Sequence, residues 1–241
     1  MSIVSHGHDD WLARLLPAIA ATGATMVAHV VVTHNIPARL PLQAAQPWPF
    51  RFTELHNDAQ AGFGTNHNRA FACARADVAT DLFCVLNPDM SLPDATLWRS
   101  LAAVARENGV GCAYPTLLNP DGSVQDNARS VPTPWALLRR RLLRRDDLRI
   151  DWASASFWVV PSAVFSQLQG FDERYFMYCE DTDFCLRLQL AGWRLARSPV
   201  TAVHHAHRSS LRPGRHLLWH LRSLWRLWTS DSTRAYLRKR A

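Results

Sequence analysis

A chain of 241 residues with 48% apolar and 20% charged side chains has the length and composition of one globular domain with a sizeable core and a tail, and not of a disordered chain. Its five cysteines are odd in number and include no C-x-x-C pair, which argues against a disulfide framework or a cysteine zinc site and for a reducing compartment. The net charge of +7 is unevenly spread: residues 1–130 carry 8 basic and 11 acidic side chains, whereas residues 131–241 carry 19 and 9. An anionic partner is therefore expected on the C-terminal half, either nucleic acid or an anionic membrane face.

In chain order, the first half alternates short apolar runs with helical patterns, as in a parallel α/β sheet. Residues 1–5 read as a strand, 9–21 as a helix with Leu12, Leu15, Leu16 and Ile19 on one face, and 26–33 as a β-branched strand. A proline-rich loop follows, then a strand at 50–55. Gly62-Phe63-Gly64 opens a helix that runs through 79, and 82–86 is a short buried strand ending on Asn87-Pro88-Asp89. A helix over 93–107 stops at Asn108-Gly109, and 110–114 returns to the sheet. Residues 119–122 form a turn by composition. A basic helix at 139–145, a strand near 152–160, a helix at 180–191 stopped by Gly192 and an extended stretch at 194–204 complete the pattern. Ser5, His34-Asn35 and Asn87-Pro88-Asp89 all fall at the ends of strands. In open α/β sheets such ends carry ligands.

The densest chemistry lies between Gly170 and Trp193, reading GFDERYFMYCEDTDFCLRLQLAGW. Asp172, Glu173, Glu180, Asp181 and Asp183 stand there among aromatic and apolar residues. Carboxylates in such company point to a lined pocket, because burying them idle is costly. This block, with Leu86-Asn87-Pro88-Asp89 upstream and Val203-His204-His205 downstream, resembles the family 2 glycosyltransferases. Within them it is most similar to the rhamnosyltransferase-like branch that builds bacterial surface polysaccharides, over about five-sixths of the chain.

The resemblance implies a GT-A fold: a nucleotide-binding α/β sheet flanked by helices over residues 1–205, with a basic amphipathic tail over 206–241. It implies an inverting, metal-dependent transferase moving a sugar, such as rhamnose, from a nucleotide-diphosphate donor to a lipid-linked glycan. Asp181, second of the Glu-Asp pair, takes the role of general base. Glu180 and Trp152 are assigned to the acceptor. Asp89 and His204 hold Mg²⁺ or Mn²⁺, with His205 in reserve. Ser5, Asn35, Asn68 and Asn87 are the nucleotide-side candidates. The chain departs from the family at His34, where members often carry the aspartate that meets the base, and at Asn87, where the first aspartate of a D-x-D is replaced.

The bland readings differ in weight. Asn119-Pro120-Asp121 repeats the tripeptide in a turn, but only residues 87–89 follow an apolar strand. Asp183 reads as a helix-start carboxylate favoured by the macrodipole. Gly62 and Gly64 suit either a phosphate cradle or a turn.

In the tail, Leu217, Leu218, Leu221, Leu224, Trp225 and Trp228 share one helical face, with arginines mostly off it. That pattern fits an interfacial membrane anchor over residues 213–240 as well as a helix packed on its own domain. With no basic start before an apolar run, and no apolar run of spanning length, the expected location is cytoplasmic, peripheral on the inner membrane face. Three rivals remain. A nucleotidyltransferase would want a lysine-bearing glycine loop near the N-terminus, which is missing. A nucleic-acid binding module would leave the aromatic–carboxylate block unexplained, so no nucleic acid is expected. A degenerate, non-catalytic nucleotide-sugar binder is the third, on the departures at His34 and Asn87, and unchanged turnover in Asp181→Asn would remove the base assignment.

Overall fold

A computed structural model describes residues 1–37, 47–77, 79–143, 149–205 and 214–240. The expected proline-rich loop, the end of the 139–145 basic run and His207 fall wholly or partly outside these residues.

The elements in chain order are β1 (Ser2–Ser5), α1 (Asp9–Gly23), β2 (His29–His34), β3 (Arg51–His56), α2 (Phe63–Asp77), β4 (Leu82–Leu86), β5 (Met90–Ser91) and α3 (Thr96–Ala105). Then come β6 (Val110–Leu118), β7 (Ala128–Arg129), α4 (Pro134–Leu143), β8 (Trp152–Ala153), β9 (Phe157–Pro161), α5 (Ser162–Gln167), α6 (Glu180–Leu190), β10 (Arg194–His204), α7 (Arg215–Thr229) and α8 (Asp231–Arg240).

Eight strands form one sheet in the order β3-β2-β1-β4-β9-β6-β10-β5, and β7 pairs with β8 in a separate ribbon. The first four sheet strands are parallel, as their apolar runs lead one to expect. The whole sheet is mixed, however, because β9 runs antiparallel to both β4 and β6. Side chains alternate across it with the period of two that a pleated strand imposes. Val30 and Val32 of β2, Leu86 of β4 and Phe157 and Val159 of β9 join Leu12, Leu15, Leu16 and Ile19 of α1 and Leu97, Trp98 and Leu101 of α3. Phe83, Val85, Trp158 and Val160 point the other way, into an aromatic core with Phe71, Phe165, Phe171 and Phe184.

Three local outcomes differ from the sequence expectation. The helix expected from residue 93 begins at Thr96, because the Asp94 carboxylate accepts the Thr96 N–H at 2.6 Å. The single strand expected near 152–160 is broken in two. Ser154 N–H donates to the Asn127 carbonyl at 2.7 Å as part of the β7–β8 ribbon, so the first piece pairs with β7 while the second, β9, joins the main sheet. The Gly62-Phe63-Gly64 turn is a packing device. A Cβ on Gly62 would stand 2.9 Å from the carbonyls of Tyr175 and Phe176, and one on Gly64 would stand 2.6 Å from Phe171 Cβ. The two glycines let α2 approach the loop that precedes α6.

Candidate active site

The parallel register puts Ser5 beside His34 and Ile3 beside Leu86, so β1, β2 and β4 all end on one edge of the sheet. Past that edge the chain continues as Asn87-Pro88-Asp89. It then pairs antiparallel with the far end of β10, with Met90 opposite His204. This pairing joins two segments more than a hundred residues apart. His204 Nε2 lies 3.3 Å from Asp89 Oδ1 and 3.4 Å from Asn87 Nδ2, and His205 N–H donates to the Asp89 carbonyl at 2.9 Å.

Gln125 orients the histidine. Its amide nitrogen donates to the His204 carbonyl at 2.7 Å, which leaves its oxygen, 3.0 Å from Nδ1, as the acceptor of an Nδ1–H. In the neutral imidazole Nε2 is then a bare lone pair facing the Asp89 carboxylate. Two acceptors turned toward each other suit a cation, and an imidazole nitrogen with a carboxylate oxygen suits Mn²⁺ or Mg²⁺. Burial pushes the Asp89 carboxyl up; when Nε2 carries a proton instead, the hydrogen bond and charge of His204 outweigh that push and hold the group below its ordinary value. Asp89 also feels His8, and the Trp11 ring lies 4.8 Å from that of His205.

The Glu180-Asp181 pair opens α6. The two residues before it, Tyr178 and Cys179, both adopt left-handed backbone conformations, φ 71° and 66°. Non-glycine residues seldom do so, and such strain concentrates at functional sites. Asp181 Oδ1 accepts the Thr182 N–H at 2.7 Å and Oδ2 accepts the Ala155 N–H at 3.4 Å. Burial drives its carboxyl up to about 6, against the opposing pull of these hydrogen bonds and of the Arg129 charge. Glu180 is buried behind it, its Oε2 without a partner, and is held well above the usual carboxylate range by burial and by Asp181.

The broken strand connects the two halves of the site. Ala155 N–H reaches Asp181 while the next carbonyl, of Ser156, accepts the Asn87 N–H at 2.8 Å. Trp152, on β8 nearby, donates its indole N–H to the Ser130 carbonyl at 2.9 Å and lies under the Arg129 guanidinium, 5.8 Å from the ring centre.

The remaining candidates spread toward the β2–β3 end. Ser5 Oγ accepts the His8 N–H at 3.1 Å and so closes the turn after β1. Asn35 exchanges hydrogen bonds with the backbone of Ala61, and its Oδ1 accepts from Asn57, which also donates to Asn66. Asn68, on α2, donates its amide to the Phe171 carbonyl and accepts the Phe171 N–H, both at 2.9 Å, clamping the loop that leads to α6. His34 donates to Glu54 at 2.9 Å and stacks on His56. These three have ligand atoms within 4.8 Å of one another, a separate grouping from Asp89 and His204. Sequence reading missed Gln125 and Arg129. Neither sits in a motif: Gln125 is placed by its N–H bond to the Leu117 carbonyl of β6, and Arg129 by the pairing of β7 with β8.

No family model matches the chain. It is 30% identical over 241 residues to the rhamnosyltransferase WbbL of Escherichia coli strain K12, covering 93% of this chain and 90% of that one. It is 29% identical over 249 residues to an N-acetylglucosaminyl-diphospho-decaprenol L-rhamnosyltransferase of Mycobacterium tuberculosis, covering 92% and 81%. Among solved structures, GalNAc-T7 with UDP, GalNAc and Mn²⁺ superposes with a TM-score of 0.66 at 14% identity, covering 99% of this chain and 49% of that one. The mannosyltransferase PcManGT of Pyrobaculum calidifontis, in complex with GDP-Man and Mn²⁺, superposes at 0.61 and 12% identity, covering 99% and 73%.

Proposed function

Because the chain belongs to the rhamnosyltransferase-like branch of the family 2 glycosyltransferases, with their GT-A fold, we propose that it moves rhamnose from a nucleoside-diphosphate donor, dTDP-rhamnose, to a lipid-linked glycan, inverting the anomeric centre. That it is a glycosyltransferase follows from the family. The donor, the acceptor, the stereochemistry and the residue roles are the proposal.

The observation that carries it is Asp181, a carboxyl raised to about 6 at the strained start of α6 and one peptide away from the segment that holds Asn87. A base near neutrality is ionised at working pH, yet still strong enough to accept a proton. In the reaction the acceptor oxygen bonds to the anomeric carbon from the face opposite the diphosphate. Its proton passes to an Asp181 oxygen, and the sugar–phosphate bond breaks with its electron pair leaving on the nucleoside diphosphate. Thr182 and Ala155 N–H groups hold the Asp181 carboxylate in place. Asp89 and His204, oriented by Gln125, would hold the divalent cation, which when bound neutralises charge on the leaving diphosphate. Asn35 and Ser5 shape the nucleotide end, Glu180 supports the acceptor side from behind Asp181, and Trp152 under Arg129 walls it. An inner-membrane location follows from a lipid-linked acceptor, and no described helix is long and apolar enough to cross a membrane.

Calorimetric titration with dTDP, UDP and GDP, each with and without Mn²⁺, tests the donor side. Metal-dependent binding of dTDP alone is expected. Binding that ignores Mn²⁺ and is unaltered by Asp89→Ala would remove the metal assignment, and absence of binding by all three would remove the transferase reading of the site.

A further inference from the structure

The tail helix α7 divides its apolar residues between two surfaces. Ser223, Leu224 and Leu227 are buried, the leucines in a cluster with Val131, Tyr175 and Leu186, and Ser223 donates to the Met177 carbonyl at 2.8 Å. On the opposite side Leu218, Leu221 and Trp225, at i, i+3 and i+7, are 67%, 54% and 68% exposed. Their stripe is flanked by Arg222, also exposed, and by Arg215 and Arg226. Helix α4 also exposes apolar side chains, Trp135 and Leu138 at 71% and 48%, and the segment leading into it is tied to α7, where the Trp228 indole N–H donates to the Pro132 carbonyl at 2.7 Å. Of nine exposed large apolar side chains among the described residues, six lie on α4 and α7, so exposed apolar surface is concentrated on these two helices and not scattered.

We propose that this α4–α7 face docks the enzyme on an anionic lipid bilayer, laying α7 in the headgroup region beside the mouth of the acceptor site. Charge argues for a bilayer over a second copy of the chain. The patch lies in the half whose 19 basic and 9 acidic residues would repel a like surface and attract anionic headgroups. Tryptophan and leucine beside arginine is the composition that partitions into the interface. Position argues the same way. The first turn of α7 abuts the loop leading to Glu180-Asp181: the Tyr178 hydroxyl lies 3.0 Å from His216 Nδ1, and the Trp219 and Phe176 rings are 4.8 Å apart. A bilayer beneath α7 would bring a lipid-borne acceptor alongside the two carboxylates, and to that extent the inference rests on the proposed acceptor class.

The test is flotation of the full chain with phosphatidylglycerol-containing vesicles and with pure phosphatidylcholine vesicles. The native chain should float with the anionic vesicles and be released as salt rises. The combined Leu218→Ser, Leu221→Ser and Trp225→Ser variant should bind them roughly tenfold more weakly or worse, and Arg222→Glu should weaken binding to the anionic vesicles and make what remains less dependent on salt. Both variants should keep the native melting temperature and dTDP affinity. Equal binding to neutral vesicles, no binding to either kind, or undiminished binding by the triple variant would each overturn docking. So would a dimer in sedimentation that the triple variant dissociates, since that names a second copy as the occupant. Vesicle binding without nucleotide binding would leave docking standing and sink the proposed donor site instead; nucleotide binding without vesicle binding would do the reverse.

Discussion

Asp181 meets opposed demands from stability and chemistry. Its carboxyl titrates near 6 in the fold against about 3.9 when unfolded, so between those values the native state binds the extra proton and stability falls as pH rises. Asp181→Asn removes that penalty and should raise stability at pH 7 by on the order of 1 kcal/mol, a few degrees in Tm. The same change should lower kcat by roughly a hundredfold to ten-thousandfold while donor KM stays close to native. Native kcat/KM should climb as pH passes through about 6. A variant that loses Tm along with activity would indicate a structural carboxylate. His67 behaves oppositely. Burial lowers its imidazole to about 3, and its Nδ1 lies 2.7 Å from Ser2 Oγ. Below the unfolded value near 6.5 the unfolded chain takes the proton first, so stability should fall by about 3 kcal/mol between pH 7 and pH 4 from this residue alone. His67→Gln should flatten that slope in melting curves recorded across the range.

At the scale of elements, the approach of α2 to the loop before α6 rests on Gly64 and Asn68. Gly64→Ala would push a methyl to 2.6 Å from Phe171 Cβ and should cost about 1–3 kcal/mol. Asn68→Ala would leave the Phe171 N–H and carbonyl without their partner and should cost a similar amount. Denaturant titrations measure both. If Asn68 contacts nucleotide instead, dTDP affinity should drop with stability unchanged. These cases show what a sequence can and cannot carry. The parallel β1-β2-β4 edge was readable because apolar runs ending in Ser5, Asn35 and Asn87 are local signals. The Glu180-Asp181 helix start was readable for the same reason, and the family resemblance sharpened it. The Asp89–His204 contact depends on pairing β5 with β10 across more than a hundred residues, for which the text between them has no local signature. The glycines of 62–64 read equally as a phosphate cradle or a tight approach, since both need a missing Cβ. The break at residues 154–156 was hard to read because Ser154-Ala155-Ser156 between two apolar stretches carries no glycine, proline or asparagine, and the pairing of β8 with β7 is not local.

For the molecule as a whole, α8 ties the C-terminal tail to α6, the helix that opens on Glu180-Asp181. Ser232 Oγ donates to Asp183 Oδ1 at 2.7 Å, on the first turn of α6. Asp151, fully buried, receives the Tyr236 hydroxyl at 2.9 Å, Arg240 at 2.6 Å, Arg149 at 3.0 Å and the Val131 N–H at 2.9 Å. A buried carboxylate is tolerable only while donors surround it, and removing a partner from such a pair costs about 3–5 kcal/mol. Ending the chain after Ser230 removes two of the four donors, withdraws Tyr236 from its cluster and frees the first turn of α6. The truncated chain should therefore melt at least ~10 °C lower and lose transfer activity even toward a water-soluble acceptor, for which membrane docking is irrelevant. Tyr236→Phe, which removes a single hydroxyl, should cost only about 1–2 kcal/mol and spare activity. If truncation instead left Tm and soluble-acceptor turnover intact while abolishing vesicle binding, the tail would be a detachable anchor. Asp151 and Asp183 argue against that outcome, because each is a buried carboxylate that takes part of its donor set from α8, beside Arg149 for the one and Arg187 for the other.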